Sequence, residues 1–156
     1  MMKSKLKYSG NVRIRAWEKQ SDGSEKLVKD TTSKNLLMTT GKASILKYLG
    51  NIAGGGYLNG IGTGDSTTAA SAGQTDLQAS SNKLWKVISS SDRVYVGTTL
   101  YLSVDFGYSE ANFTWNELGL RDNQGTPLIV ARLIDASPLV KTTSKRAIVE
   151  WQVTVT

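Results

Sequence analysis

The chain has no cysteine and no histidine among its 156 residues. Without cysteine there is no disulfide, no thiolate metal site and no cysteine nucleophile. Without histidine the commonest general base, the commonest zinc ligand and the middle member of most catalytic triads are gone. Only carboxylate- or lysine-based chemistry survives, so the expectation is a protein that is not an enzyme and takes no cofactor or metal. A long apolar run is also missing: nowhere do about eighteen apolar residues follow one another, as a spanning helix requires. The opening stretch MMKSKLKYSGNVRIRAW alternates basic residues and lacks the apolar core of a secretory signal, so a soluble chain is expected. One domain, 1–156, is the natural count, with a core burying roughly two thirds of the unfolded chain's surface.

The net charge of +6 is unevenly placed. Met1 to Lys47 holds eleven Lys/Arg against four Asp/Glu, and the remainder holds eight against nine. The excess therefore belongs to the N-terminal third, where residues 1–9 read as a basic arm. Such asymmetry points to an acidic partner near that end, or to a solvated face. Lys3, Lys5, Lys7, Arg13 and Arg15 form a basic stripe with Tyr8 and Trp17 beside it, the composition of a nucleic-acid contact. No recognition module and no cluster denser than KSKLK accompanies it, so nucleic acid is disfavoured as a partner.

Strand periodicity dominates the rest. In VYVGTTLYLSVDF, Val94, Val96, Leu100, Leu102, Val104 and Phe106 alternate with Tyr95, Gly97, Tyr101, Ser103 and Asp105, which predicts one long half-buried strand. Ala147, Val149, Trp151, Val153 and Val155 repeat the pattern. NVRIRAWEK leads through a turn at Asp22-Gly23 into EKLVKD; KLWKVIS, NFTWNELGLRD and PLIVARLID read as further strands, the last two joined by a turn at DNQGTP. TTGKASILKYLGN predicts one short helix, capped by Thr39 or Thr40, with Ile45, Leu46 and Leu49 on its packed face and Gly50 at its end. The fold expected is mainly β, an antiparallel sandwich or jelly-roll-like arrangement with one short helix. Trp115 and Trp151 are assigned to the core, as is Trp85 with less to fix it.

Residues 61–80 read as a long Gly/Ser/Thr/Ala loop. It is no phosphate cradle: no lysine occurs between Lys47 and Lys83, and Thr67 stands where a dinucleotide fingerprint needs its third glycine. A loop of this length and composition suits contact with another protein surface. Among acids, Glu110, Glu117 and Asp122 are the candidates for a hydrolase, against the plainer reading of Glu117 as a strand glutamate paired with Arg121 or Arg132. The calcium-loop start at Asp122 fails because Leu133 stands at the twelfth position.

An ordered series of motifs carries a resemblance. NLLMTTGKASILKYLG, GIGTGDSTTAASAGQTDLQ, FTWNELGLRDNQGTPLIVARL and LVKTTSKRAIVEWQVTV follow one another from Asn35 to Val155. This series resembles small virion structural proteins of tailed bacteriophages, and NELGLRD..G is also similar to tail-collar and fibre-attachment domains. Arg121 departs from the pattern, which has an aromatic there. The resemblance implies a non-enzymatic protein of the virion, assembled in the host bacterial cytoplasm, with other virion proteins and further copies of itself as partners. A tail, fibre, collar or baseplate position is slightly favoured over a capsid-decoration role on the head. A carbohydrate- or receptor-binding module is the more distant alternative. The interface candidates are Lys3, Lys5, Lys7, Arg13, Arg15, Trp17, Tyr57, Thr63, Asp65, Thr67 and Tyr101.

Overall fold

A computed structural model describes residues 7–124 and 128–156. Two five-stranded antiparallel sheets face each other, with one short helix, so the chain is mainly β and forms a sandwich. The strands are β1 (Tyr8–Lys19), β2 (Glu25–Lys34), β3 (Leu36–Leu37), β4 (Leu58–Gly64), β5 (Lys83–Val87), β6 (Arg93–Val96), β7 (Thr99–Phe106), β8 (Thr114–Asp122), β9 (Ile129–Val140) and β10 (Lys145–Val155). The helix α1 spans Thr39–Leu49. The first sheet runs β2-β1-β10-β7-β6 and the second β3-β9-β8-β4-β5.

Alternation decides which residues form the core. Val12, Ile14 and Ala16 of β1, Leu102, Val104 and Phe106 of β7, and Ala147, Val149 and Trp151 of β10 line the inner face of the first sheet. Ile61, Leu118, Leu120, Ala131 and Leu133 meet them from the second. Trp115 and Trp151 are fully buried. The Trp115 ring stands edge-on to Phe106 with centroids 4.9 Å apart, and its indole N–H donates to the Ala111 carbonyl at 2.9 Å. That satisfies the one polar atom such a ring brings into a core.

Several expectations change. The stretch Val94–Phe106 is two strands, because Gly97 at φ +60° turns the chain back between β6 and β7. The alternation survives in β7 alone; Val94 and Val96 pair with Tyr101 and Thr99 and so share the outward face. Residues 61–64, read as the start of a loop, belong to strand β4, so the loop proper begins at Asp65. Residues 7–9, read as part of a free arm, join the sheet: Lys7 and Thr156 exchange backbone hydrogen bonds and Tyr8 pairs with Val155. The rest of that arm, with Lys3 and Lys5, lies outside the described residues, as does the Gly125–Pro127 part of the expected DNQGTP turn.

Helix α1 forms where the sequence placed it, but not with the expected packing. Met38, not a threonine, holds the N-cap position, and Thr40 instead donates its hydroxyl to the Ile129 carbonyl at 3.0 Å. The buried residues are Gly41 and Ser44. A Cβ at Gly41 would lie 2.2 Å from the Val130 carbonyl oxygen, so the helix rests directly on the β9 backbone. The Ser44 hydroxyl donates to buried Asp122 at 2.6 Å and fastens the helix to the end of β8. With the small residues turned inward, Leu46 and Leu49 stay 65% and 68% exposed.

Candidate functional site

Two faces of the molecule concentrate unusual side chains. The outer face of the second sheet is built on glycine. Gly60, Gly62 and Gly64 recur every second residue in β4, which puts them all on one side of the strand. Gly62 pairs with Gly119 of β8 on one flank and with Trp85 of β5 on the other. A Cβ at Gly62 would lie 2.5 Å from the Trp85 ring, and one at Gly119 would lie 2.8 Å from it. Trp85 therefore lies across a floor that only glycine leaves bare. Arg121 stacks above it at 4.8 Å, in space that Gly60 vacates. Burial pulls the Arg121 pKa below the usual arginine value, while the Asp76 charge opposes that shift. The departure at Arg121 thus has a structural place.

The same floor holds the long loop down. Glu117 and Arg132, both fully buried, form an ion pair at 2.7 Å. Glu117 also accepts the backbone N–H groups of Gln78 at 3.0 Å and Ala79 at 2.7 Å. Arg132 donates onward to the Gln74 side chain and to the Thr68 carbonyl, both at 2.8 Å. Leu77 completes the anchoring by packing with Met38, Ile129 and Trp85. A buried charge is tolerable only when paired and fully hydrogen-bonded, and here the loop backbone supplies those bonds. So the loop, expected to lie against another protein, lies first against its own sheet. Glu117 is the paired strand glutamate, and Arg132 is its partner. Asp122 is tied to Ser44, and Glu110 accepts from Lys86 at 2.6 Å and from the Gly107 N–H at 2.8 Å, so the three acids share no hydrogen-bond partner.

At the far end the sandwich is open. Tyr8, Leu100, Leu102, Val153 and Val155 project from the inner face of the first sheet past the edge of the second. Ile45, Tyr48 and Leu49 of α1 and Tyr57 and Leu58 face them across an apolar groove of about 320 Å³. Arg93 of β6 is the one ionic residue in that lining. Its guanidinium donates to the Leu58 carbonyl at 2.7 Å and the Ile88 carbonyl at 2.9 Å, and it sits 5.0 Å above the Tyr57 ring. Of its lining, Tyr48, Leu49, Tyr57 and Val155 are exposed, and Leu46 of α1 and Tyr95, paired with Leu100, are exposed beside it. Scattered surface apolar residues are ordinary, whereas here several lie together around one groove.

The predicted interface residues scatter over this frame. Arg13, Arg15, Trp17 and Tyr101 share the outer face of the first sheet, where Arg15 and Arg146 flank the Trp17 ring at 5.7 Å and 4.7 Å. Within the basic stripe Arg13 is paired, holding Asp30 through two hydrogen bonds of 2.8 Å. Arg146 holds Glu25 and Asp105. Thr63 is fully buried in β4 and is no surface residue; its side chain donates to the Glu117 carbonyl at 3.2 Å. Asp65 braces the loop root against Asn82, and Thr67 is exposed beyond it. Lys7 is exposed at the start of β1. Among the described candidates, Tyr57 is the one that falls on the groove. The residues that sequence reasoning missed are Tyr48, Arg93 and Tyr95, each hidden by an expected element that the structure redraws. No family model, no curated protein and no solved structure matches the chain.

Proposed function

We propose that this protein is a non-enzymatic structural component of a tailed-phage particle, which docks to neighbouring virion proteins and to copies of itself. The observation that carries the docking role is the open apolar end of the sandwich. A small domain gains nothing in its own fold from leaving Leu46, Leu49, Tyr95 and their neighbours in water, and covering them with a partner recovers that burial. The rigid body beneath is suited to the task, since a surface held by a packed sandwich loses little freedom on association. The virion setting rests on the ordered motif series from Asn35 to Val155, and its collar-like third motif favours the tail over the head.

The test is mass spectrometry of particles purified from cells carrying the genome that encodes the chain. Gold-labelled antibody then locates the chain on those particles. Stoichiometric label on the tail supports the reading in full, and label on the head supports the capsid-decoration alternative. Absence of the chain from clean particles overturns it.

A further inference from the structure

The sandwich has four edge strands, and three of them are defended. β2 carries Lys26, Lys29, Asp30 and Lys34, and Lys29 turns inward to an ion pair with Asp135 at 3.1 Å. β5 carries Lys83 and Lys86, and β3 is only two residues long. Charged side chains, inward-pointing charges and short length are the usual means of keeping an open row of N–H and C=O groups from pairing with another chain. β6, with the sequence RVYV, has one charge, turned inward at its first residue, and its other three positions are apolar. Its single charge, Arg93, is spent on carbonyls of its own chain. Val94, Tyr95 and Val96 are 52%, 72% and 61% exposed. Lys26 and Lys34 keep the β2 edge charged, and Lys83 and Lys86 hold the carboxylates of Asp76 and Glu110 beside the β5 edge; no such charge lies at Val94, Tyr95 or Val96.

We propose that β6 is a self-pairing edge: two copies of the chain join β6 to β6 antiparallel about a two-fold axis, which makes one continuous ten-stranded sheet from two copies of the five-stranded one. An edge strand selects a strand as its partner, because only a strand offers matching backbone groups. An apolar, uncharged edge selects one of the same kind. Among the described residues, the edge that meets both conditions is β6 itself. In the antiparallel register centred on Tyr95, two-fold symmetry sets Tyr95 against Tyr95 and Val94 against Val96, with no like charges opposed. The inference rests on the reading of the protein as one that docks to copies of itself, and it names the seam.

Sedimentation equilibrium on the full chain, with hydrogen exchange at high and low concentration, tests it. The expected result is a concentration-dependent species of twice the 16.9 kDa chain mass, with the β6 amides that point away from β7 protected only when that species forms. The double variant Val94→Lys/Val96→Lys places four lysines at the seam and raises the dimer dissociation constant at least about 100-fold, with the melting temperature unchanged when both chains are measured at concentrations too low for the dimer. Val87→Lys, an equally exposed site on the β5 edge, leaves the dimer intact. A chain that stays monomeric throughout overturns the proposal. So does a dimer indifferent to the lysine pair, or β6 protection that appears only with a different protein. A dimer sealed through β6 in a chain that is absent from particles would leave this seam standing while removing the virion reading.

Discussion

The loop from Asp65 to Asn82 and the helix α1 invert each other's sequence signatures. The loop is polar, glycine-rich and without regular structure, yet it is pinned through Glu117, Arg132 and Leu77 to the sheet beneath. The helix has an apolar stripe of the kind that normally packs inward, yet it buries Gly41 and Ser44 and turns its leucines to water. Composition reports what a segment could bury, and neighbouring geometry decides what it does bury. Beneath the loop, alternate glycines leave a floor with room for a Trp, an Arg and a Glu. Beneath the helix, the β9 backbone comes so close that only small residues fit.

The sharpest way to break the comparison is to unpin the loop. Glu117→Ala strands a buried guanidinium and orphans the N–H groups of Gln78 and Ala79. Removing one partner of a buried pair costs about 3–5 kcal/mol. Urea denaturation should show a loss of that size, with new protease cleavage confined to 65–82. Unchanged stability would mean that the loop's anchoring is cosmetic. The glycine floor comes next. Gly62→Ala pushes a methyl group into the Trp85 ring, which Arg121 above it and the Asp76 side chain at 3.2 Å from its N–H prevent from sliding. Overpacking of this kind costs about 1–3 kcal/mol. The same denaturation measurement reads it, together with a red shift in tryptophan emission as Trp85 lifts.

On the groove side, Tyr8 offers a pH probe. Burial of its hydroxyl pushes its pKa from 10.0 to about 12; the Asn35 amide nearby pulls weakly the other way without forming a proper hydrogen bond. The folded chain therefore favours the neutral phenol. The associated stability is complete below pH 10 and is lost as pH rises from there towards 12. The full change is about 3 kcal/mol, two pKa units at about 1.4 kcal/mol each, and it is complete only above pH 12. Tyr8→Phe should remove that part of the alkaline fall, read as the difference between the two chains' denaturation midpoints from pH 9 to 12. Parallel curves would mean that the phenol is solvated and the groove wall is open there.

Where the sequence was legible, one rule covered both local conformation and burial. β10 alternates without interruption, so its strand, its inner face and the buried Trp151 all follow from period two. Where it was not, the informative residues had no hydrophobicity to report. The glycines of GIGTG obey period two as strictly as the valines of β10, but a glycine adds nothing to an apolar pattern and reads as a breaker. α1 was legible as a helix through its length and its Gly50 end. Its packed face was not, because Gly41 and Ser44 were selected for smallness against Val130. The β6–β7 hairpin hid because Val94 and Val96, which face outward, continue the even-numbered apolar pattern of β7 across the turn at Gly97-Thr98. Since the groove is assembled from the helix side that carries Ile45, Tyr48 and Leu49 and from that hairpin, Tyr57 alone among the described sequence candidates reached it.

The smallest expected effect on stability separates the two regions most cleanly. Leu49→Ser removes a large apolar side chain from a helix, a change that in a packed helix costs several kcal/mol. Here Leu49 is already mostly in water and touches only the groove mouth, so the change should lie within about 0.5 kcal/mol of the parent, the range of ordinary surface substitutions. If the open end is a docking surface, the same substitution should still reduce incorporation of the chain into particles, because the leucine is buried only in the assembly. Stability and docking then respond oppositely on the two sides. Glu117→Ala loosens the fold at a place far from the apolar groove, and Leu49→Ser spares the fold while weakening contact. A Leu49→Ser chain that loses several kcal/mol would show that the helix face is packed core after all, and the contrast between loop and helix would collapse.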